Sequence, residues 1–200
     1  MARQGTGIDV GHRSAVCVRG TYKGGTFHVS DFDAGEHELA ESTDGWGSLD
    51  PGLKPTGARV ALSGRDVNVR YTRVPRVPDW QLRRLMRFEV EEVGDQSGSD
   101  VASDFNLLPA LPELEGEDVV LLAMARTALL DAHEDGLKSV GGTLECFSPA
   151  AVALYNAFLR YGVVQDDTVL IANIGHDNID VVITRGPDLF RWNFWPHGRP

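Results

Sequence analysis

Short apolar runs alternate with turns rich in glycine, aspartate and asparagine, and this pattern predicts β-meanders separated by amphipathic helices. The first meander has its turns at Gly11 and at residues 22–25, and another turn is predicted at Gly64. Residues 43–54 are polar and rich in Gly, Asp and Pro, so we predict an exposed connection there. The strands predicted in this part span 6–10, 15–20, 26–32, 59–63 and 67–73.

Three later segments carry apolar residues at helical spacing. The first begins at Asp79, which we predict as its N-cap, and a loop at 94–100 follows it. The second spans 127–140, and the third begins at Ser148-Pro149, a cap followed by proline. The apolar face of the first helix contains Leu82, Leu85, Met86 and Val93. The strands predicted around these helices span 105–108, 119–125, 143–147, 168–174, 179–185 and 189–195.

The first helix also carries charges that allow two interpretations each. Glu89 falls on the apolar face, where we predict a pair with Arg83 or another cation; the alternative is a carboxylate held for an interaction. Arg83, Arg84 and Arg87 are predicted as a solvated face, with contact to a partner as the alternative.

The turn at Gly11 has a second copy far downstream. Gly11-His12 follows Asp9-Val10, and Gly175-His176 follows Asn173-Ile174. Each turn exposes backbone N–H groups, and the hydroxyl of Ser14 adds a donor to the first. Successive N–H groups in a turn form an anion-binding concavity. The duplication therefore predicts two loops that approach one ligand from two sides.

Composition limits the function classes. The 200 residues carry a net charge of −10, which argues against nucleic-acid binding. Hydrophobic residues are 42% and charged residues 24%, as in soluble globular proteins, and neither a signal peptide nor a membrane span is predicted. The only cysteines, Cys17 and Cys146, lack metal-type spacing and suggest a reducing compartment, and Cys17 is predicted to lie in the core.

Six stretches, 7–11, 67–75, 87–91, 121–126, 139–142 and 172–175, together carry a family resemblance. Taken in order, and with the duplicated hairpins, they resemble the type IV pilus assembly protein PilM, a relative of the cell-division protein FtsA in the actin-like ATPase superfamily. The resemblance implies an α/β chain with the actin-like (ribonuclease H-like) ATPase fold, comprising the first lobe with an FtsA/PilM-type inserted subdomain and the start of the second lobe.

The same resemblance implies a division of the chain. A first core subdomain with a phosphate-1-like hairpin would span 1–78, and an inserted α/β subdomain would span 79–147. A helix at 148–165 would return to the first core subdomain, and 166–200 would begin the second lobe with a phosphate-2-like hairpin. The family's later helices and its adenosine-binding glycine loop have no counterpart, so we expect a fragment of a longer protein; the alternative is a stump that cannot close a nucleotide cleft.

The cofactors that the resemblance implies are ATP and Mg²⁺. Asp9 would hold Mg²⁺ through water. Arg13 is unusual in a loop normally built of small residues; it could contact a phosphate or be solvated. The predicted nucleotide-binding residues are Asp9, Gly11, His12, Arg13 and Ser14 in the first turn, and Asn173, Gly175, His176, Asp177 and Asn178 in the second.

The second turn departs from the family pattern. Asn173 stands where the family has an aspartate, and a neutral amide cannot serve as a general base. The three residues His176, Asp177 and Asn178 replace small ones that leave room for phosphate. We therefore predict binding with weak or absent hydrolysis and assign no catalytic residue. A metal site between His12 and His176 is a minor alternative, because two histidines are too few for a closed site.

The resemblance implies a cytoplasmic adaptor of a type IV pilus or type II secretion-like machine. It would lie at the inner membrane through a PilN-like partner, whose cytoplasmic tail it docks, and self-association is a further expectation. The alternatives are an actin-like enzyme, either an ATPase or a small-molecule kinase, and an FtsA-like division scaffold. Residues 104–109 also resemble the Asn-Leu-Leu-Pro motif with which PilN docks. That similarity is a coincidence, an occupation of the chain's own groove, or a sign of fusion or mimicry.

Overall fold

The computed structural model describes residues 3–37, 42–62, 67–108, 115–164, 166–175, 178–186 and 188–196. The strands are β1 (Arg3–Val10), β2 (Ser14–Lys23), β3 (Thr26–Glu36), β4 (Ala58–Leu62), β5 (Val67–Pro75), β6 (Val101–Leu107), β7 (Glu117–Arg126), β8 (Leu144–Pro149), β9 (Thr168–Ile174), β10 (Asn178–Arg185) and β11 (Asp188–Pro196). The helices are α1 (Asp79–Ser97), α2 (Thr127–Ser139) and α3 (Ala150–Tyr161), with the 3₁₀ helices η1 (Ser42–Ser48) and η2 (Pro51–Leu53). No helix in these ranges is long and apolar enough to cross a membrane.

The first sheet has the strand order β3-β2-β1-β4-β8. β1, β2 and β3 pair antiparallel, as the pattern predicts, and β4 and β8 run parallel to β1. Gly24 and Gly25 link β2 to β3 with φ of 59° and 83°, the left-handed conformation that a two-residue hairpin loop requires. One face of this sheet buries Ile8, Val10, Ala15, Cys17 and Val60.

The segment predicted as an exposed connection instead completes this core. Trp46 and Leu49 are only 2% and 4% exposed, and α2 contributes Leu137 to the same cluster. The indole Nε1 of Trp46 donates a hydrogen bond to Nδ1 of His133 in α2, 3.2 Å away. The prediction of exposure was wrong because a 3₁₀ helix can bury single apolar residues that show no α or β periodicity.

The second sheet is antiparallel, with the order β5-β7-β6, and α1 packs on one of its faces. Leu82 and Met86 are buried there against Val120 and Leu122, which confirms the predicted apolar face of α1. β4 and β5 lie in different sheets, so the chain leaves the first sheet between them, upstream of the predicted subdomain boundary at 78. The predicted turn at Gly64 lies outside the described residues.

The ends of α1 differ from the prediction. Pro78 is the N-cap, and Asp79 is the first helical residue, whose carboxylate accepts a hydrogen bond from Nε of Arg83 at 2.9 Å. The helix continues through most of the predicted loop at 94–100 and ends at Gly98, which has φ of 61°. Helices commonly end at a glycine in the left-handed conformation. The position of Gly98 therefore determines the end of α1, and the polar composition before it does not interrupt the helix. Glu89 pairs with Arg70 at 3.8 Å, consistent with the predicted ion pair to a cation.

The third sheet has the order β11-β10-β9 and forms the predicted final meander. α3 contacts β4 and β8 of the first sheet and β9 and β10 of the third. Its Ala151 is buried against Val182 and Leu189. The predicted cap residue Ser148 lies instead in β8, and Pro149 is the N-cap of α3.

Candidate functional site

The two glycine turns have the same register. Val10 pairs with Ala15 across β1 and β2, and Ile174 pairs with Ile179 across β9 and β10. Three residues, 11–13, separate β1 from β2 in the sequence, and three residues, 175–177, separate β9 from β10. Asp9 lies opposite Val16 in the first hairpin, and Asn173 lies opposite Asp180 in the second. The two hairpins therefore match residue by residue, as their sequences suggest.

Asp9 and Asn173 line one cavity of about 690 Å³. Its remaining wall consists of residues from the first sheet and from α3: Gly7, Ile8, Val16, Val18, Arg59, Val60, Ala61, Cys146, Phe147, Ser148, Ala150, Ala153, Leu154, Asn156 and Ala157. The structure therefore brings together the two strand-end residues that the predicted site assigns to a single ligand.

Burial raises the pKa of the Asp9 carboxyl, because the surrounding protein removes water from its charged form. The side chain nevertheless opens into the cavity. Arg59 lines the same space, but its guanidinium donates a hydrogen bond to Glu145 at 2.9 Å. Asp9 is itself exposed to this space, and a carboxylate on a cavity wall fits a cation, since oxygen ligands are those that Mg²⁺ prefers. A bound Mg²⁺ would offset the charge of a phosphate.

The remaining residues of the first turn lie outside this cavity lining. Gly11 N–H donates to Ser14 O at 2.9 Å, which closes the turn. The two ring nitrogens of His12 are buried and have no hydrogen-bond partner within the described ranges. The backbone carbonyl of Arg13 accepts from the N–H of His37 at 2.9 Å, and Ser14 is exposed.

The second turn is described only in part. Gly175 is exposed, and the backbone of Asn178 begins β10. His176 and Asp177 lie outside the described residues, as does the side chain of Asn178. Within the described ranges, no group of three His, Cys, Asp or Glu side chains is arranged to hold a metal ion.

Sequence reasoning missed His37. Its Nε2 lies 3.1 Å from the carbonyl oxygen of Gly11 and donates a hydrogen bond to it. Together with its backbone bond to Arg13, this side chain holds the first turn in place. Nothing in the local pattern indicates the contact, because it joins residues 26 positions apart.

A second space of about 560 Å³ lies between the second sheet and the first core. Ala102 and Ala123 lie on adjacent strands β6 and β7 and line it with small side chains, while Asp104 and Asn106 contribute polar groups. Its other lining residues are Leu62, Val67, Ser103, Phe105, Leu121, Met124, Ala125, Leu130, Phe147, Ser148, Pro149 and Val152. We call this space the inter-sheet groove. The segment that resembles a docking motif, 104–109, contributes Asp104, Phe105 and Asn106 to this lining, and its Pro109 lies outside the described residues.

No family model and no curated protein matches the chain. Several solved structures are similar to the chain. A chain of the PilM-PilN type IV pilus biogenesis complex is 17% identical with a TM-score of 0.75, over 96% of this chain and 61% of that one. The cytoplasmic domain of EpsL, an inner membrane component of the type II secretion system of Vibrio cholerae, is 15% identical with a TM-score of 0.56, over 97% and 71%. A Bacteroides thetaiotaomicron protein with an actin-like ATPase fold is 10% identical with a TM-score of 0.52, over 96% and 70%.

At these identities the likeness establishes the fold. The chain spans about three-fifths of the length of the PilM-PilN chain that it matches. The first sheet, the second sheet and the final meander are three separate sheets, and the chain returns from the second sheet to the first at β8. The predicted α/β architecture is confirmed, and the chain has an actin-like ATPase fold of the PilM-like form.

Proposed function

We propose that the chain is an actin-like adaptor of a type IV pilus or type II secretion-like machine, which docks the cytoplasmic tail of an inner-membrane partner in the inter-sheet groove. The observation that carries this proposal is the groove itself, an apolar space beside an edge strand. The fold likeness supports it, since two of the similar structures belong to a pilus complex and to a secretion system.

The groove suits an extended peptide. Alanines at positions 102, 123 and 125 lie side by side on β6 and β7 and leave room above the sheet for larger side chains. β6 is an edge strand, and the outer backbone groups of such a strand can pair with an added strand. Apolar side chains of the tail would fill the space towards Leu130 and Phe147.

Asp104 adds a preference for charge. Its side chain is exposed at the groove, and one carboxylate oxygen accepts a hydrogen bond from the N–H of Phe105 at 2.9 Å. The other oxygen is available to a cation. We therefore propose that the tail carries a lysine or arginine beside its apolar residues, because complementary charge sets register more than affinity.

The cavity at Asp9 and Asn173 serves, on this proposal, to bind Mg²⁺-nucleotide with weak or absent hydrolysis. Asp9 would orient the cation, and the N–H groups of the first turn would contact phosphate. Asn173 can donate a hydrogen bond but cannot accept a proton from water at neutral pH. A neutral amide at this position favours a scaffold over an ATPase or a kinase.

The adaptor would act in the cytoplasm and reach the inner membrane through its partner. Its docking can be tested with a fluorescent peptide that carries the PilN-type Asn-Leu-Leu-Pro motif, titrated with the whole chain and read by anisotropy. Ala123→Leu would fill the groove and weaken binding at least about tenfold, a loss of about 1.4 kcal/mol. The matched control is Ala61→Leu, which places the same side chain in the other cavity and should leave peptide binding intact. Equal affinity of both variants and the wild type would exclude the groove.

Nucleotide binding needs its own measurement. Calorimetry with Mg²⁺-ATP, paired with a phosphate-release assay, should show heat of binding without turnover, and Ala61→Leu should abolish the heat. Rapid turnover would favour the enzyme alternative instead. Absence of nucleotide binding, with peptide binding retained, would reject the nucleotide part of the proposal and leave the adaptor part.

A further inference from the structure

Helix α1 has a second face that the second sheet does not use. Opposite the buried Leu82 and Met86, the large side chains of Trp80 and Phe88 are 67% and 54% exposed. They lie two turns apart, which places them on one side of the helix. Exposed aromatic residues on one helix side are a common sign of an interaction surface.

The charges on this face are divided along the helix. Arg84 and Arg87 lie in its first half, and Glu91 and Asp95 lie in its second half. The guanidinium of Arg84 stacks over Phe88 at 5.6 Å. In the part of the chain that the structure describes, none of these four charged side chains forms an ion pair. The face therefore presents a positive half, an aromatic centre and a negative half.

We propose that this face binds the same face of a second copy, with the two α1 helices antiparallel about a two-fold axis between Arg87 and Phe88. In this register Arg84 faces Glu91 of the partner subunit, and Arg87 faces Phe88 of the partner subunit. Two-fold symmetry makes each contact twice.

Charge complementarity favours a second copy over other occupants. An anionic membrane or a nucleic acid would attract the arginines but repel Glu91 and Asp95 on the same face. A second α1, reversed, satisfies both halves at once. Cation–π contact between Arg87 and Phe88 would stabilise the centre.

The dimer should be weak and sensitive to salt. One pair of 19-residue helices covers less area than a standard protein interface of about 1,600 Å². Its ion pairs are solvent-exposed, and salt at about 0.15 M screens such pairs beyond about 8 Å. No residue of α1 lines the inter-sheet groove, so the dimer and the docked tail are compatible. The dimer proposal rests on α1 alone and does not depend on the groove.

A charge swap tests the register. Sedimentation velocity of the full chain at low salt should show a concentration-dependent dimer, and Arg84→Glu or Glu91→Arg should each weaken it at least about tenfold by facing like charges. Mixing these two single variants should restore a heterodimer, because each altered residue then meets its complement, and the double variant should dimerise with itself. Asp131→Arg, a comparable charge reversal at an exposed position of α2, should leave the dimer unchanged.

Circular dichroism would verify that each variant folds. A wild type that stays monomeric at low salt and high concentration would overturn the proposal. So would a mixture of the single variants that forms no heterodimer. A monomer that binds vesicles of anionic lipid, with binding lost in Arg84→Glu, would overturn it in favour of a membrane surface.

Discussion

His37 donates a hydrogen bond from Nε2 to the carbonyl oxygen of Gly11 over 3.1 Å, and this bond ties the segment after β3 to the first glycine turn. The backbone N–H of His37 also reaches Arg13 O at 2.9 Å. The turn that we assign to phosphate binding is therefore held by a residue outside the hairpin. A preorganised turn loses less freedom when it binds a ligand.

We predict that His37→Ala loosens this turn. The loss of one hydrogen bond should lower the free energy of unfolding by about 1 kcal/mol, measured by urea denaturation. If the turn holds phosphate, the free energy of nucleotide binding should weaken by more than about 1 kcal/mol. His37→Gln keeps an N–H donor and is the control that separates the bond from the side-chain volume. If His37→Ala matched the wild type in both measurements, the hydrogen bond from His37 to Gly11 would contribute neither to stability nor to nucleotide binding.

Asp9→Asn should raise thermal stability at neutral pH. Burial raises the pKa of Asp9 in the folded state, so its carboxylate form opposes folding, and stability falls as pH rises from the usual aspartate pKa through the raised one. The asparagine variant should lack this fall. It should also bind Mg²⁺-nucleotide at least about tenfold more weakly, or about 1.4 kcal/mol. Thermal melts from pH 4 to about pH 8 would check the first part, and parallel pH curves for variant and wild type would contradict it.

Asn173→Asp would restore the aspartate of the family pattern. A second carboxylate in the same cavity should raise the pKa of Asp9 further and make the unliganded protein less stable at about pH 8 than the wild type. Mg²⁺ should reverse this loss, because a divalent cation neutralises both groups. Thermal shift with and without Mg²⁺ measures both effects. If Mg²⁺ protects the variant no more than the wild type, the two residues do not share a cation.

Gly136→Ala should destabilise the protein although alanine favours helices. A Cβ at Gly136 would overlap the indole of Trp46, so the core would have to shift at a cost of about 1–3 kcal/mol. Gly94→Ala in α1 is the matched control, since its Cβ makes only ordinary contact, 3.5 Å from Ser99 O. It should gain up to about 1 kcal/mol. Denaturation in high salt, where the proposed dimer dissociates, gives both values.

Periodicity predicted the strands and the buried face of α1 because these elements repeat every 2 or about 3.6 residues. Trp46, in the glycine-rich 3₁₀ helix η1, and Leu49, just after it, were assigned to solvent because isolated apolar residues carry no such repeat. The end of α1 at Gly98 was placed too early, since polar residues on an exposed turn resemble a loop. The change of sheet between β4 and β5 depends on long-range pairing that local pattern does not report.

The candidate site was predictable to a similar extent. The matching sequences around Gly11 and Gly175 predicted equivalent hairpins, and the structure shows equal registers, with Asp9 and Asn173 on one cavity. The ligand in that cavity stays a prediction. The hydrogen bond from His37 to Gly11 and the inter-sheet groove could not be predicted, because each is formed by segments that are far apart in the chain.

Phe147 and Ser148, where β8 ends, line the inter-sheet groove on one side and the cavity of Asp9 on the other. An occupant of either space touches the same two residues. If an occupant of one space shifts them, it changes the affinity of the other space, and thermodynamic linkage requires the effect to be equal in both directions. Phe147 and Ser148 would then be enough to couple the affinity for nucleotide to the affinity for the partner's tail.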